Sequence, residues 1–152
     1  MNLTALNTTG IESEWRWDFR KNMLRKEMFI KSAGFSFYYA FAIKSSGAYL
    51  SRYVLDYLKY QAAFNLEHTI LGPLSAKWQW RLQDRAGTYA EYPSGEDVAY
   101  PAYVINDLTL EAEWTHLALK LQLRNLWNKE YVDLANIPMP GRWAVFTASL
   151  SF

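Results

Sequence analysis

Leu117-Ala-Leu-Lys-Leu-Gln-Leu-Arg124 places a leucine at every second position, with small, basic or amide residues between. A helix turns about 100° per residue and would scatter those four leucines around its circumference, whereas an extended strand gathers them on one face. The same two-residue period runs through six more segments. Glu12–Phe19 sets Ser13, Trp15, Trp17 and Phe19 against Glu12, Glu14, Arg16 and Asp18. Phe29–Ile43 sets Phe35, Phe37, Tyr39 and Phe41 against Gly34, Ser36, Ala40 and Ala42. Asp56–Thr69 sets Leu58, Tyr60, Ala62, Phe64 and Leu66 against Lys59, Gln61, Ala63, Asn65 and Glu67. A helical reading of that segment would mix Lys59, Ala63 and Leu66 on one stripe, so it is read as a strand.

Leu74–Arg85 alternates Leu74, Ala76, Trp78, Trp80 and Leu82 with Ser75, Lys77, Gln79, Arg81 and Gln83. Asp107–Thr115 alternates Leu108, Leu110, Ala112 and Trp114 with Asp107, Thr109, Glu111 and Glu113. Arg142–Phe152 carries Ala144, Phe146, Ala148, Leu150 and Phe152 on one face and Val145, Thr147, Ser149 and Ser151 on the other. Seven such segments specify an all-β chain, an antiparallel up-and-down meander of about seven long strands. The connections alternate in length: Arg20–Met28, Ile70–Pro73 and Thr115–Leu117 are short, while Lys44–Leu55, Ala86–Tyr103 and Asn125–Gly141 are long. In a meander, successive connections fall on opposite ends. One end therefore carries short turns and the other long loops, the asymmetry of outer-membrane barrels.

Composition excludes several classes. Sixteen basic residues balance 15 acidic ones, so there is no basic field for nucleic acid. Cysteine is absent, which removes disulfides, thiolate metal sites and thiol catalysis. No run of 18 apolar residues forms a membrane helix. The start, Met1-Asn-Leu-Thr-Ala-Leu, lacks the basic and apolar regions of a secretory signal.

Periodicity does not say which face meets water. One reading is a soluble β-sandwich or β-barrel that binds a small ligand with its apolar face inside. The other turns that face to lipid. Three features favour lipid. The segments run from 8 to 15 residues, whereas soluble strands cluster near ~5–6 and a tilted membrane strand needs ~9–11. Aromatics make up 17% of the chain, and Trp15, Trp17, Tyr39, Phe41, Tyr60, Trp78, Trp80 and Trp114 lie near strand ends on the apolar face, as interfacial girdles do. The sequence also stops on Phe152 within its last apolar alternation.

Asn125-Leu-Trp-Asn-Lys-Glu-Tyr131, followed by Pro138-Met-Pro-Gly-Arg142 and a final strand ending in Phe152, resembles the end of a TonB-dependent outer-membrane receptor. Thr9-Gly-Ile-Glu12, Tyr57-Leu-Lys-Tyr-Gln61 and Trp78-Gln-Trp-Arg-Leu-Gln-Asp-Arg85 resemble other barrel strands of that family, of siderophore and cobalamin type. The resemblance implies that the seven strands belong to a 22-stranded transmembrane β-barrel in the Gram-negative outer membrane. Residues 1–152 would be its C-terminal wall segment, with plug domain, TonB box and signal peptide absent. Seven is an odd count, which a complete bacterial barrel does not have.

The implied function is nutrient uptake of a ferric siderophore or cobalamin-like ligand, which this segment would not transport alone. Its implied partners are outer-membrane lipid, the remaining strands and plug of the receptor, the barrel-assembly machinery, and TonB through the missing N-terminal part. Phe152 matches the family's C-terminal assembly signal by position and type. No catalytic, cofactor or metal site is read from the residues: His68 and His116 lack partners at ligand spacing, and Glu12/Glu14 and Glu111/Glu113 suit ion pairs on a polar wall. The candidate ligand contacts are Tyr89, Tyr92, Tyr100 and Tyr103, on the long connection Ala86–Tyr103 at the outer mouth.

Overall fold

The computed structural model describes residues 6–19, 29–44, 57–134 and 137–152. The alternating segments pair with their sequence neighbours in one antiparallel sheet. In chain order these are β1 (Leu6–Asp18), β2 (Ile30–Lys44), β3 (Leu58–Leu71) and β4 (Leu74–Arg85). The next two strands are short, β5 (Thr88–Ala90) and β6 (Asp97–Ala99), and form a hairpin of their own within the β4–β7 connection. Then come β7 (Tyr103–Glu113) and β8 (Leu117–Arg124). A second small pair, β9 (Val132–Leu134) with β10 (Ile137–Pro138), precedes β11 (Trp143–Leu150). The seven-stranded sheet has the order β1-β2-β3-β4-β7-β8-β11, every neighbouring pair antiparallel. No helix occurs among the described residues. The sheet is open: β1 and β11 each have one neighbour.

Turn chemistry explains the tight end. Between Leu71 and Leu74 stand only Gly72 and Pro73, and Gly72 adopts φ 53°, a left-handed conformation that favours glycine. At the β7–β8 turn the Trp114 N–H donates to Leu117 O at 2.8 Å. Connections 20–28 and 45–56 lie outside the described residues.

Two strand starts and one pairing depart most from the sequence reading. β1 begins at Leu6 and not at Glu12, because the long β2 templates it as far as the Leu6–Lys44 pair. Gly10 suits this stretch, since a Cβ there would stand 2.6 Å from Tyr39 O. β7 begins at Tyr103 and not at Asp107. Asn106 stands outside the alternating segment, yet it is 1% exposed and its Nδ2 donates to Gln79 O at 3.3 Å. Within β3 a bulge at Lys59 interrupts the alternation, pairing Leu58 with Arg85 and Tyr60 with Asp84. Leu58 thus faces a residue of the polar set, contrary to its place in the sequence pattern.

Candidate functional site: an aromatic face and a polar trough

Cross-strand register turns the alternation into continuous rows. One row runs Trp17, Ala33, Leu66, Trp78, Leu108, Leu123 and Ala144 across all seven strands. The row beside it runs Trp15, Phe35, Phe64 and Trp80, with the Trp15 and Phe35 rings 5.6 Å apart and Phe64 and Trp80 5.4 Å apart. Trp78 stacks on Trp80 at 5.8 Å. The aromatic residues are therefore not confined to strand ends as the sequence suggested. Register lines them up as neighbours through the middle of β2, β3 and β4, where ring pairs hold one another; Leu, Ala and Phe146 continue the face on β7, β8 and β11, broken where Trp80 meets the buried Asn106.

The reverse face is polar and tied across strands. Tyr103 Oη donates to Gln83 Oε1 at 2.7 Å, and Gln83 Nε2 donates to Gln61 Oε1 at 2.9 Å. Gln79 Nε2 donates to Asn65 Oδ1 at 3.2 Å. Ion pairs join Lys120 to Glu111 at 3.1 Å, Arg124 to Asp107 at 2.9 Å and, more loosely, Lys31 to Glu67 at 3.9 Å. Glu14 pairs with Arg16 on its own strand. The acidic residues thus serve ion pairing at Glu14 and Glu111. This side of the sheet is hollowed into a trough of about 550 Å³ whose lining includes Lys31, Lys77, Gln79, Thr109 and Gln122.

Burial does not follow polarity as it does in an ordinary soluble sheet: Ala76 and Asn106 on the apolar side are buried and Lys77 and Arg81 on the polar side are exposed, yet the large apolar groups of β1, β2 and β11 stay open. Thr109 and Gln83, on the polar side, are 7% and 8% exposed, while Phe146 and Trp15, on the apolar side, are 66% and 47% exposed. In a water-soluble sheet the apolar side is the one removed from water.

The four tyrosines have separate fates. Tyr103 is buried, its ring 4.5 Å from that of Tyr131. Tyr100 is also buried, its ring tilted against that of Tyr89 at 5.1 Å and lying 6.0 Å beneath the Arg85 guanidinium. Tyr92 is 87% exposed and stands apart from them. Sequence reading missed Tyr131 and Asp133, which bring the β8–β11 connection onto this cluster: Asp133 lies 3.5 Å from Arg85 and beside the Tyr103 hydroxyl. Their only signal was the tyrosine that ends the Asn125–Tyr131 motif.

His68 lies on the aromatic side, stacked 4.7 Å from Phe29. Trp78 Nε1 donates to its Nε2 at 3.2 Å, so Nδ1 carries the proton toward Thr69 O at 3.1 Å. His116 Nδ1 lies 3.1 Å from Ser151 O at the short-turn end. No group of three or more His, Cys, Asp or Glu side chains suited to a metal occurs among the described residues. Phe152 follows β11 with its ring fully exposed.

No protein-family model, curated protein or solved structure matches the chain.

Proposed function

We propose that this chain is a length of wall from an outer-membrane β-barrel, its aromatic face against lipid and its polar trough lining the lumen. The observation that carries this reading is that the apolar side is not the buried one: its large side chains on β1, β2 and β11 are exposed, while the reverse side is hydrogen-bonded and hollowed. A barrel that encloses water requires this arrangement. Strand length agrees. The 12 residues of β4 rise about 3.3 Å each, or ~40 Å in all, and at a tilt of about 45° cover ~28 Å, close to the ~30 Å of bilayer hydrocarbon. The rival, a soluble sandwich or barrel with an apolar interior, calls for a hollow on the apolar side, whereas a trough of about 550 Å³ among the described residues lies on the polar one.

The parent is narrowed to a TonB-dependent receptor by the resemblance of Asn125–Tyr131 and Pro138–Arg142 to that family. On this reading further strands of a 22-stranded barrel pair with β1 and β11, a plug fills the lumen, and TonB acts through that plug. The imported ligand would be a ferric siderophore or cobalamin-like molecule. Tyr92, being open, is the tyrosine best placed to meet it, with Tyr89, Tyr100 and Tyr103 shaping the loop beneath. Phe152 is the proposed contact for the barrel-assembly machinery. The chain is a wall and not a catalyst.

Fluorescence tests the facing. The seven tryptophans include five that alternation assigns to the aromatic face: Trp15, Trp17, Trp78, Trp80 and, one residue past β7, Trp114. After reconstitution in phosphatidylcholine vesicles, brominated acyl chains should quench most of the emission. A variant with those five changed to Phe should lose that quenching and retain an acrylamide-sensitive remainder from Trp127 and Trp143. Emission indifferent to bromine in the parent chain, together with a sheet that is soluble without detergent, would return the soluble rival.

A further inference from the structure

We infer that Asn125 and Asn128, with Gly141, form a clasp that sets the register of β11 against β8. The side-chain pattern leaves a need for one. Sliding β11 by one residue would swap its faces and is forbidden by the alternation. A slide of two residues is not, because Val145, Thr147 and Ser149 would replace one another on the polar side, and Ala144, Phe146 and Ala148 on the apolar side. Something outside the strand must choose Trp143 as the partner of Arg124.

The loop-end geometry makes that choice. Asp107, on β7, accepts from Arg124 Nη1 at 2.9 Å and from the Asn125 N–H at 2.8 Å, which fixes the last residue of β8. Asn125 is 4% exposed and left-handed at φ 50°. Its Oδ1 accepts from the Lys129 N–H at 2.8 Å, while its Nδ2 donates to Lys129 O at 2.8 Å and to Pro140 O at 3.3 Å. One side chain thus holds both ends of the connection between β8 and β11. Asn128, also left-handed at φ 53°, donates its N–H to Asn125 O at 2.8 Å, and its Oδ1 accepts from the Arg142 N–H at 2.8 Å. Arg142 is the residue immediately before β11. A Cβ at Gly141 would lie 2.6 Å from Asn128 Oδ1, so glycine is what lets the two strands of the connection close. Asparagine is the non-glycine residue that tolerates left-handed backbone while offering both a donor and an acceptor.

The opposite end of β11 is held by the Ser151 N–H on His116 O at 3.1 Å, among exposed groups where water competes. The clasp is the stronger selector because it joins several bonds anchored on the buried Asn125. The recurring residues of the Asn125–Tyr131 and Pro138–Arg142 motifs are thereby positioning residues for the last strand, and this holds whether or not the sheet lies in a membrane.

The chain has no cysteine, so disulfide pairs can read the register directly. Gln122→Cys with Val145→Cys reports the observed register, and Gln122→Cys with Thr147→Cys reports the two-residue slip. In the parent chain, mild oxidation should close the first pair alone. Asn128→Gly keeps the backbone conformation and removes the acceptor. It should lower the ratio of first to second disulfide about tenfold, the effect of one lost hydrogen bond on a backbone donor. Asn128→Asp keeps the acceptor and should restore the parent ratio. An unchanged ratio in Asn128→Gly would overturn the inference. So would loss of both disulfides, which would mean that the clasp merely holds the strand on.

Discussion

Phe64 and Asn65 are consecutive on β3 and stand on opposite faces, which makes arginine at each a matched comparison. Phe64 sits between Phe35 and Trp80 in the aromatic row. With that row against hydrocarbon, arginine near the midplane costs ~2–4 kcal/mol. Loss of the ring pair with Trp80, at 5.4 Å, adds ~0.5–1.5 kcal/mol. Phe64→Arg should therefore lower stability by about 3–5 kcal/mol. Asn65→Arg sacrifices the hydrogen bond from Gln79, about 1 kcal/mol, and places its guanidinium on the hydrated polar side. The assay is urea unfolding of the chain refolded in phosphocholine detergent micelles, followed by tryptophan emission. Phe64→Arg should shift the midpoint far more than Asn65→Arg. If Asn65→Arg proves equally or more damaging, the polar side is the dry one and the assignment of faces fails.

Two further outcomes follow from named contacts. Asp107→Asn weakens the acceptor for Arg124 and the Asn125 N–H and should cost about 1–3 kcal/mol in the same titration, whereas Glu111→Gln, whose pair with Lys120 is over a third exposed, should cost under about 1 kcal/mol. When the chain is expressed in a Gram-negative host, Phe152→Ala should reduce the heat-modifiable, outer-membrane fraction on gels more than Phe146→Leu. The latter keeps the face apolar, and equal yields would remove Phe152 from any role in assembly.

Much of the sheet was legible because a strand's period is short and local. The leucines of Leu117–Arg124 and the tryptophans of Leu74–Arg85 announce both their strands and the side each presents, and the bounds of β4 and β8 fall where the pattern places them. Legibility failed where contacts with other elements decide. Leu6–Ile11 and Tyr103–Asn106 stand outside the alternating segments Glu12–Phe19 and Asp107–Thr115, yet pairing with β2 and β4 draws both into the sheet. The tyrosines of the β4–β7 connection read as a group, but packing buries Tyr100 and Tyr103 and leaves Tyr92 alone. Which tyrosine is open depends on Tyr131 and Asp133, which arrive from a different loop.

Alternation by itself determined an all-β meander with one aromatic face and one polar face, because side chains on successive strand residues point to opposite sides whatever surrounds them. It could not determine which face is hollow, since curvature is a property of the assembled sheet and leaves no mark on a two-residue period. Nor could it fix the register of β11, whose polar face is nearly uniform. That choice was left to Asn125 and Asn128, hydrogen-bonding across a connection whose ends, Arg124 and Trp143, are 19 residues apart in sequence and partners in space. Tertiary structure decides such features because they rest on contacts between residues that sequence does not place together.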